Sequence, residues 1–282
     1  MRLPPCLLCV PWLLAASSAL AQPAPILKAD PPAWATLAHP LRLDVPSQSE
    51  ASAPIKPVWT KEGLLAGPPM GLRGLAKTAH SGIPTWDPAS QAWYASAEGS
   101  LVRVETDGSL TVVVDGVQGV DVDFRASKGV AVSREPDDTI VLWRVGGAKR
   151  VLLSGPQFFR PRFSPDGAKI LVAESRAEGG HSWLVDLDGK ATDLGQSYFA
   201  TWHPDGKSVV FVRVVHDGYV IQASAVYSLD LAARREKLLA RTQAPALVEP
   251  AVSPDGRFVA FRAAQEDAVL VAPLAAQAGE GR

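Results

Sequence analysis

The sequence predicts an all-β fold, a β-propeller of four-stranded antiparallel blades, and three observations lead there. A bulky residue followed by x-Pro-Asp-Gly and an apolar run occurs three times: FSPDGAKILVAE from Phe163, WHPDGKSVVFVR from Trp202 and VSPDGRFVAFRA from Val252. Between these anchors lie pairs of short alternating runs, most of them joined through glycine, as hairpins are. No stretch carries the 3.6-residue apolar period of an amphipathic helix. Four short strands per roughly forty residues is the repeat of a propeller blade.

The anchors count the blades. Phe163 and Trp202 are 39 residues apart and Trp202 and Val252 are 50 apart. Stepping back 39 from Phe163 reaches Phe124, opening FRASKGVAVSRE, a copy without Pro-Asp. A further 38 back lies Trp86, opening WDPASQAWYASAE. Five blades are recognisable, three strong and two degraded, and a sixth is expected within residues 41–80, for six in all. The last blade shows only three strands before the chain runs into AAQAGEGR, so Leu41–Val45 or KPVWT is a candidate to complete it.

The N-terminus reads differently. MRLPPCLLCVPWLLAASSALAQ has one positive charge, a short apolar run and a small-residue site at Ala19–Leu20–Ala21, the pattern of a signal peptide cut after Ala21. An uncleaved anchor is the alternative, although Pro11 interrupts a run already short for a membrane span. Residues 22–60 form a Pro/Ala/Ser-rich arm, and 61–282 the propeller. Cys6 and Cys9 both lie in the signal, so the exported chain holds together through its core rather than through disulfides. Localisation is therefore expected to be periplasmic or secreted.

Each Pro-Asp-Gly explains itself as a turn. Pro165, Pro204 and Pro254 pre-set the first corner, Asp166, Asp205 and Asp255 accept local N–H groups, and Gly167, Gly206 and Gly256 take the left-handed corner. All nine residues are expected to be structural.

These repeats resemble those of the TolB family of periplasmic propellers, whose blades carry an F/W-S-P-D-G-x-x-I/L-A-F strand pair. The resemblance covers about residues 77–282 and implies a mostly six-bladed ring. TolB's N-terminal α/β domain is expected to have no counterpart, since only 64 residues lie between the cleavage site and Trp86.

Chemistry is sparse. There is no G-x-S-x-G, no H-E-x-x-H, no phosphate loop and no cysteine after the signal, and the five histidines have no ligand spacing. No cofactor or metal site is read, and an enzyme is the less favoured class. Net charge −1 argues against nucleic acid, and no polybasic cluster suggests a membrane surface. No later apolar run is long enough to span a membrane.

Topology places the functional face. Strand 1–2 and 3–4 turns share one side of a propeller; blade links and strand 2–3 loops share the other. The irregular segments GPQFFRP, GQSYFA and QAPALVEP all fall on the second side. Candidate binding residues there are Phe159, Arg160, Tyr198 and Glu249 near the channel. His216, Asp217 and Tyr219 join them from the longer 214–225 segment, where most of the eleven extra residues of the 50-residue spacing are placed. Alternate members of the Phe158–Phe159 and Tyr198–Phe199 pairs are expected to plug between blades. The expected function is non-catalytic binding of an envelope protein or peptide by a monomer. The alternative is a channel site for a small ligand, or a metal-dependent lactonase-like hydrolase.

Overall fold

The computed structural model describes residues 26–27, 41–44, 57–60, 63–65, 84–87, 89–105, 109–155, 157–243, 245–266 and 268–274. The segment read from the sequence as a signal peptide, and most of the arm, lie outside them. Four short strands come first: β1 (Ile26–Leu27), β2 (Leu41–Asp44), β3 (Val58–Trp59) and β4 (Leu64–Leu65). Blade I is β5 (Thr85–Asp87), β6 (Ala92–Ala97), β7 (Ser100–Val104) and β8 (Leu110–Asp115). Blade II is β9 (Asp121–Arg125), β10 (Val130–Arg134), β11 (Ile140–Arg144) and β12 (Arg150–Leu153), with a 3-10 turn at Ala126–Lys128. Blade III is β13 (Phe158–Phe163), β14 (Lys169–Arg176), β15 (Gly179–Asp186) and β16 (Ala191–Gln196). Blade IV is β17 (Tyr198–Trp202), β18 (Ser208–His216), β19 (Ile221–Asp230) and β20 (Arg235–Thr242).

Blade V is β21 (Leu247–Val252), β22 (Phe258–Ala263), β23 (Ala268–Pro273) and, as its fourth strand, β2. Leu41 pairs with Val271 and Asp44 with Ala268, antiparallel. The remaining short strands form a three-stranded sheet in the order β1–β4–β3. Leu64 packs on Ala260, Val269 and Val271 of blade V, while Leu65 packs on Trp93 of blade I. The indole N–H of Trp59 donates to the Ala251 carbonyl at 2.9 Å. This small sheet therefore sits between the last and first four-stranded blades, in the sixth place of the ring.

The pattern of burial explains why the middle strands read as unbroken apolar runs. Successive side chains of a strand point to opposite faces, and here each face meets another blade. Ile170 and Val172 of β14, with Phe163 of the same blade, pack on Val130 and Val132 of blade II, whereas Leu171 packs on blade IV with Trp202, Val209 and Phe211. Val210 and Val212 then turn to blade V, against Leu247, Val259 and Phe261. Outer strands lack this second neighbour and leave Val112, Val151 and Leu238 exposed. Among the described residues no helix is long and apolar enough to cross a membrane.

The three turns form as their chemistry requires. Asp166 Oδ1 accepts the Ser164 hydroxyl at 2.6 Å and the Ala168 N–H at 3.0 Å, and Gly167 has φ +66°. Asp255 repeats this with Ser253 (2.6 Å) and Arg257 N–H (3.0 Å). In blade IV, His203 stands in the serine position, 3.1 Å from Asp205, whose Oδ1 accepts the Lys207 N–H at 2.8 Å.

Candidate functional site

The inner strands carry a second repeated device, five residues before each turn proline. Arg160, Phe199 and Glu249 have φ of +51°, +53° and +51°. At each of them the pairing to the next strand slips, between Phe159 and Arg162, Tyr198 and Thr201, and Val248 and Ala251. A left-handed conformation at a non-glycine residue costs on the order of 1–3 kcal/mol and persists only where the surroundings enforce it. Three such bulges in register re-aim three side chains toward one another.

They meet at the mouth of the channel. The Arg160 guanidinium donates to Glu249 Oε1 at 3.1 Å, and its carbon lies 5.3 Å from the centre of the Phe199 ring. The Arg160 N–H donates to Asp121 Oδ2 at 3.3 Å. One residue of blade III thus touches blades II, IV and V. Glu249 is only 8% exposed, and its other oxygen lies 3.5 Å from Arg262 Nε without a hydrogen bond.

Below the mouth the inner strands are tied ring-wise. Asp123, 3% exposed, accepts the Phe163 N–H at 2.8 Å, and Arg125 donates to the Phe163 carbonyl at 3.0 Å while lying 3.5 Å from Asp123 and 3.6 Å from Asp87. Trp202 Nε1 donates to the Arg162 carbonyl at 3.1 Å. Burial depresses the pKa of Arg162 against the pull of Asp123 and Asp121, with Arg160 and Arg125 adding to the depression.

These residues enclose a cavity of about 480 Å³. Phe159, Arg160, Tyr198 and Glu249 all line it, so the structure brings four of the sequence-selected residues together. Phe158 instead is buried between blades II and III, while both Tyr198 and Phe199 face the cavity. The plug-and-line alternation therefore holds for the first aromatic pair and not for the second. The cavity extends sideways between blades III and IV along Glu174, Gly180 and His181. There the Tyr198 ring lies against the blade III hairpin: a Cβ on Gly179 would come within 2.6 Å of its hydroxyl, and one on Gly180 within 2.8 Å of the ring. The Gly179–Gly180 pair is the space in which that tyrosine lies.

His216, Asp217 and Tyr219 lie on the hairpin between β18 and β19. The His216 ring stands edge-on to Tyr198 at 6.5 Å. Asp217 Oδ1 accepts the Tyr219 and Val220 N–H groups at 2.9 and 2.8 Å, and these bonds hold its pKa below the ordinary carboxylate value. It organises the tip, and Tyr219 projects from it 98% exposed. The hairpin spans Ser208–Asp230 against Lys169–Asp186 in blade III, which accounts for about half of the extra residues. The rest lengthen β20, the link behind it and β21, a broader distribution than the sequence reading placed at 214–225.

Sequence reasoning missed the supporting groups Asp121, Asp123, Arg125, Arg162 and Arg262. Asp121, Asp123 and Arg125 stand in blade II, whose copy of the motif is weak, and Arg162 and Arg262 stand where the other strong copies carry uncharged residues, Thr201 and Ala251 for the first and Ala173 and Val212 for the second. The shared register of Arg160, Phe199 and Glu249 was available as a signal, because all three precede their turn proline by five. Among the described residues, no three His, Cys, Asp or Glu side chains gather as metal ligands.

Comparison with solved structures places the architecture. A TolB protein of Agrobacterium tumefaciens superposes with a TM-score of 0.52 at 19% identity, covering 66% of this chain and 70% of that one. The fold is TolB-like. TolB of Acinetobacter baumannii matches at 0.50 with 16% identity over 69% of this chain, which spans 54% of that protein. The propeller is shared more widely, since tricorn protease matches the TolB-like ring at 0.51 with 13% identity over 75% of this chain and 20% of its own. No protein-family profile and no curated protein matches the sequence. At these identities the likeness is one of fold.

Proposed function

We propose that this TolB-like propeller is an exported, monomeric protein that binds an extended segment of another cell-envelope protein, without chemistry, at the channel mouth of blades III to V. The observation that carries this reading is the convergence of Arg160, Phe199 and Glu249 from one strained repeat position. Strain retained at three equivalent positions marks a surface held for a purpose other than stability. The mouth combines an arginine, aromatic faces and a buried carboxylate, the anchor types on which binding surfaces concentrate their energy. The prominent tip at Tyr219 stands beside it as a second contact. The signal-like N-terminus supports export.

Photocrosslinking in intact envelopes tests this. A crosslinker at Phe159 or Tyr219 should trap one protein reproducibly, and Phe199→Ala together with Tyr198→Ala should abolish that adduct while the propeller stays folded. Unchanged adducts in the double variant would refute the mouth as the binding site. Hydrolysis of a lactone on addition of a divalent cation would replace the reading with an enzymatic one.

A further inference from the structure

The two faces of the propeller carry opposite charge, and this follows the repeat. In or flanking the strand 1–2 turns, blades II to V each present one exposed cation: Lys128, Lys169, Lys207 and Arg257. The strand 3–4 turns on the same side add Lys149 and Arg150, Lys190, and Arg234 and Arg235. With Arg144 at the end of β11, ten exposed cations among the described residues of these turns in blades II to V stand against four exposed carboxylates, Asp166, Asp188, Asp205 and Asp255. Half-buried Asp186 and Asp230 accept backbone N–H groups within their own turns. In blade I the matching turn, Ala89–Gln91, is uncharged, so the basic surface covers four adjacent blades. On the opposite side each strand 2–3 hairpin carries an acid: Glu98, Asp137, Glu178, Asp217 and Glu266.

We propose that the basic turn face docks on the surface of an anionic phospholipid membrane, leaving the acidic face and the channel mouth turned away from it. The cations are separated by up to 129 positions in the sequence, from Lys128 to Arg257, and become one surface only when the blades close. A linear search for a basic cluster therefore passes over them. Among the described residues Lys169, Lys190 and Lys207 have no ion-pair partner and Lys128 meets only the charge of Asp166, so their charge is available to a counter-surface. Protein interfaces centre on aromatic anchors in packed pockets. This face instead offers lysine and arginine on short, tight turns, the composition that a diffuse anionic surface attracts through many weak contacts. The acids on the far side oppose the reverse orientation.

Co-sedimentation of the purified chain with phosphatidylglycerol-containing vesicles, beside vesicles of phosphatidylcholine alone, tests the proposal. The expected result is binding to the anionic vesicles only, released as salt is raised. The triple variant Lys128→Glu, Lys169→Glu, Lys207→Glu should bind roughly a hundredfold more weakly, and Lys→Gln at the same positions should fall between. Circular dichroism establishes that the variants fold, and the salt dependence of the unaltered chain stands as evidence without them. Equal binding to both vesicles, full retention of binding by the triple variant, or tighter binding to a DNA duplex than to anionic vesicles would overturn it. The assay needs no protein partner, and Tyr219→Ala should leave it unchanged, so its outcome is separate from that of the channel mouth.

Discussion

Arg160 reaches from blade III past blade IV to donate a 3.1 Å hydrogen bond to Glu249 of blade V. The pair spans the mouth of the channel and joins blades that are not neighbours, so it acts as a cross-brace. Arg160→Ala leaves Glu249 with Arg262 alone. The Arg160 side chain is partly exposed, which holds the expected loss to about 1–3 kcal/mol, below the figure for a fully buried pair. A double-mutant cycle with Glu249→Ala, followed by urea unfolding, should return a coupling of about 1 kcal/mol or more. Strict additivity would show that the pair does not brace the ring.

Gly180→Ala should destabilise the chain by about 1–3 kcal/mol, because its methyl meets the Tyr198 ring at 2.8 Å and the Ser197 carbonyl at 3.0 Å. Tyr198→Ala in the same chain should recover part of that loss. Thermal melts of the two single variants and the double variant decide it.

Stability should fall as acid titrates the turn aspartates. The Ser164 hydroxyl and Ala168 N–H lower the Asp166 pKa, and the Ser253 hydroxyl does the same for Asp255. A carboxylate whose folded pKa is depressed contributes stability that is present above its unfolded pKa, about 3.9, and is lost as pH falls through the lower folded value. Asp166→Asn with Asp255→Asn should flatten unfolding free energy against pH below about 4. An unchanged slope would assign acid sensitivity elsewhere. Asp166→Ala alone should cost about 1 kcal/mol and leave partner binding intact.

Tyr219 is 98% exposed and contributes nothing to the core. Tyr219→Ala should stay within about 0.5 kcal/mol of the parent while weakening capture of the proposed envelope partner. A large drop in melting temperature would show that the tip supports the fold instead.

The fold was legible because its repeat is local. A turn that explains itself, an apolar run after it and a spacing near 39 identify Phe124 and Trp86 as anchors even where Pro-Asp has been lost. The mouth was legible in part, since Phe159, Arg160, Tyr198 and Glu249 sit in irregular segments on a face that topology assigns. What escaped depends on closure. The Arg160–Glu249 bond joins residues 89 apart, and nothing between them signals it. Arg125 and Asp123 bind the neighbouring blade through backbone groups, which a sequence does not display. The basic face escaped for the same reason: its cations arrive one blade at a time.

The pairing of β2 with β23 has a temporal meaning. Leu41 leaves the ribosome 230 positions ahead of Val271, its partner in the sheet. Contacts so distant along the chain form late and slowly. The first of these strands to be made is therefore the last to be satisfied, and until the C-terminal blade arrives the ring has a free end at each side. Closure of the ring is therefore an event of the whole propeller rather than of any one blade.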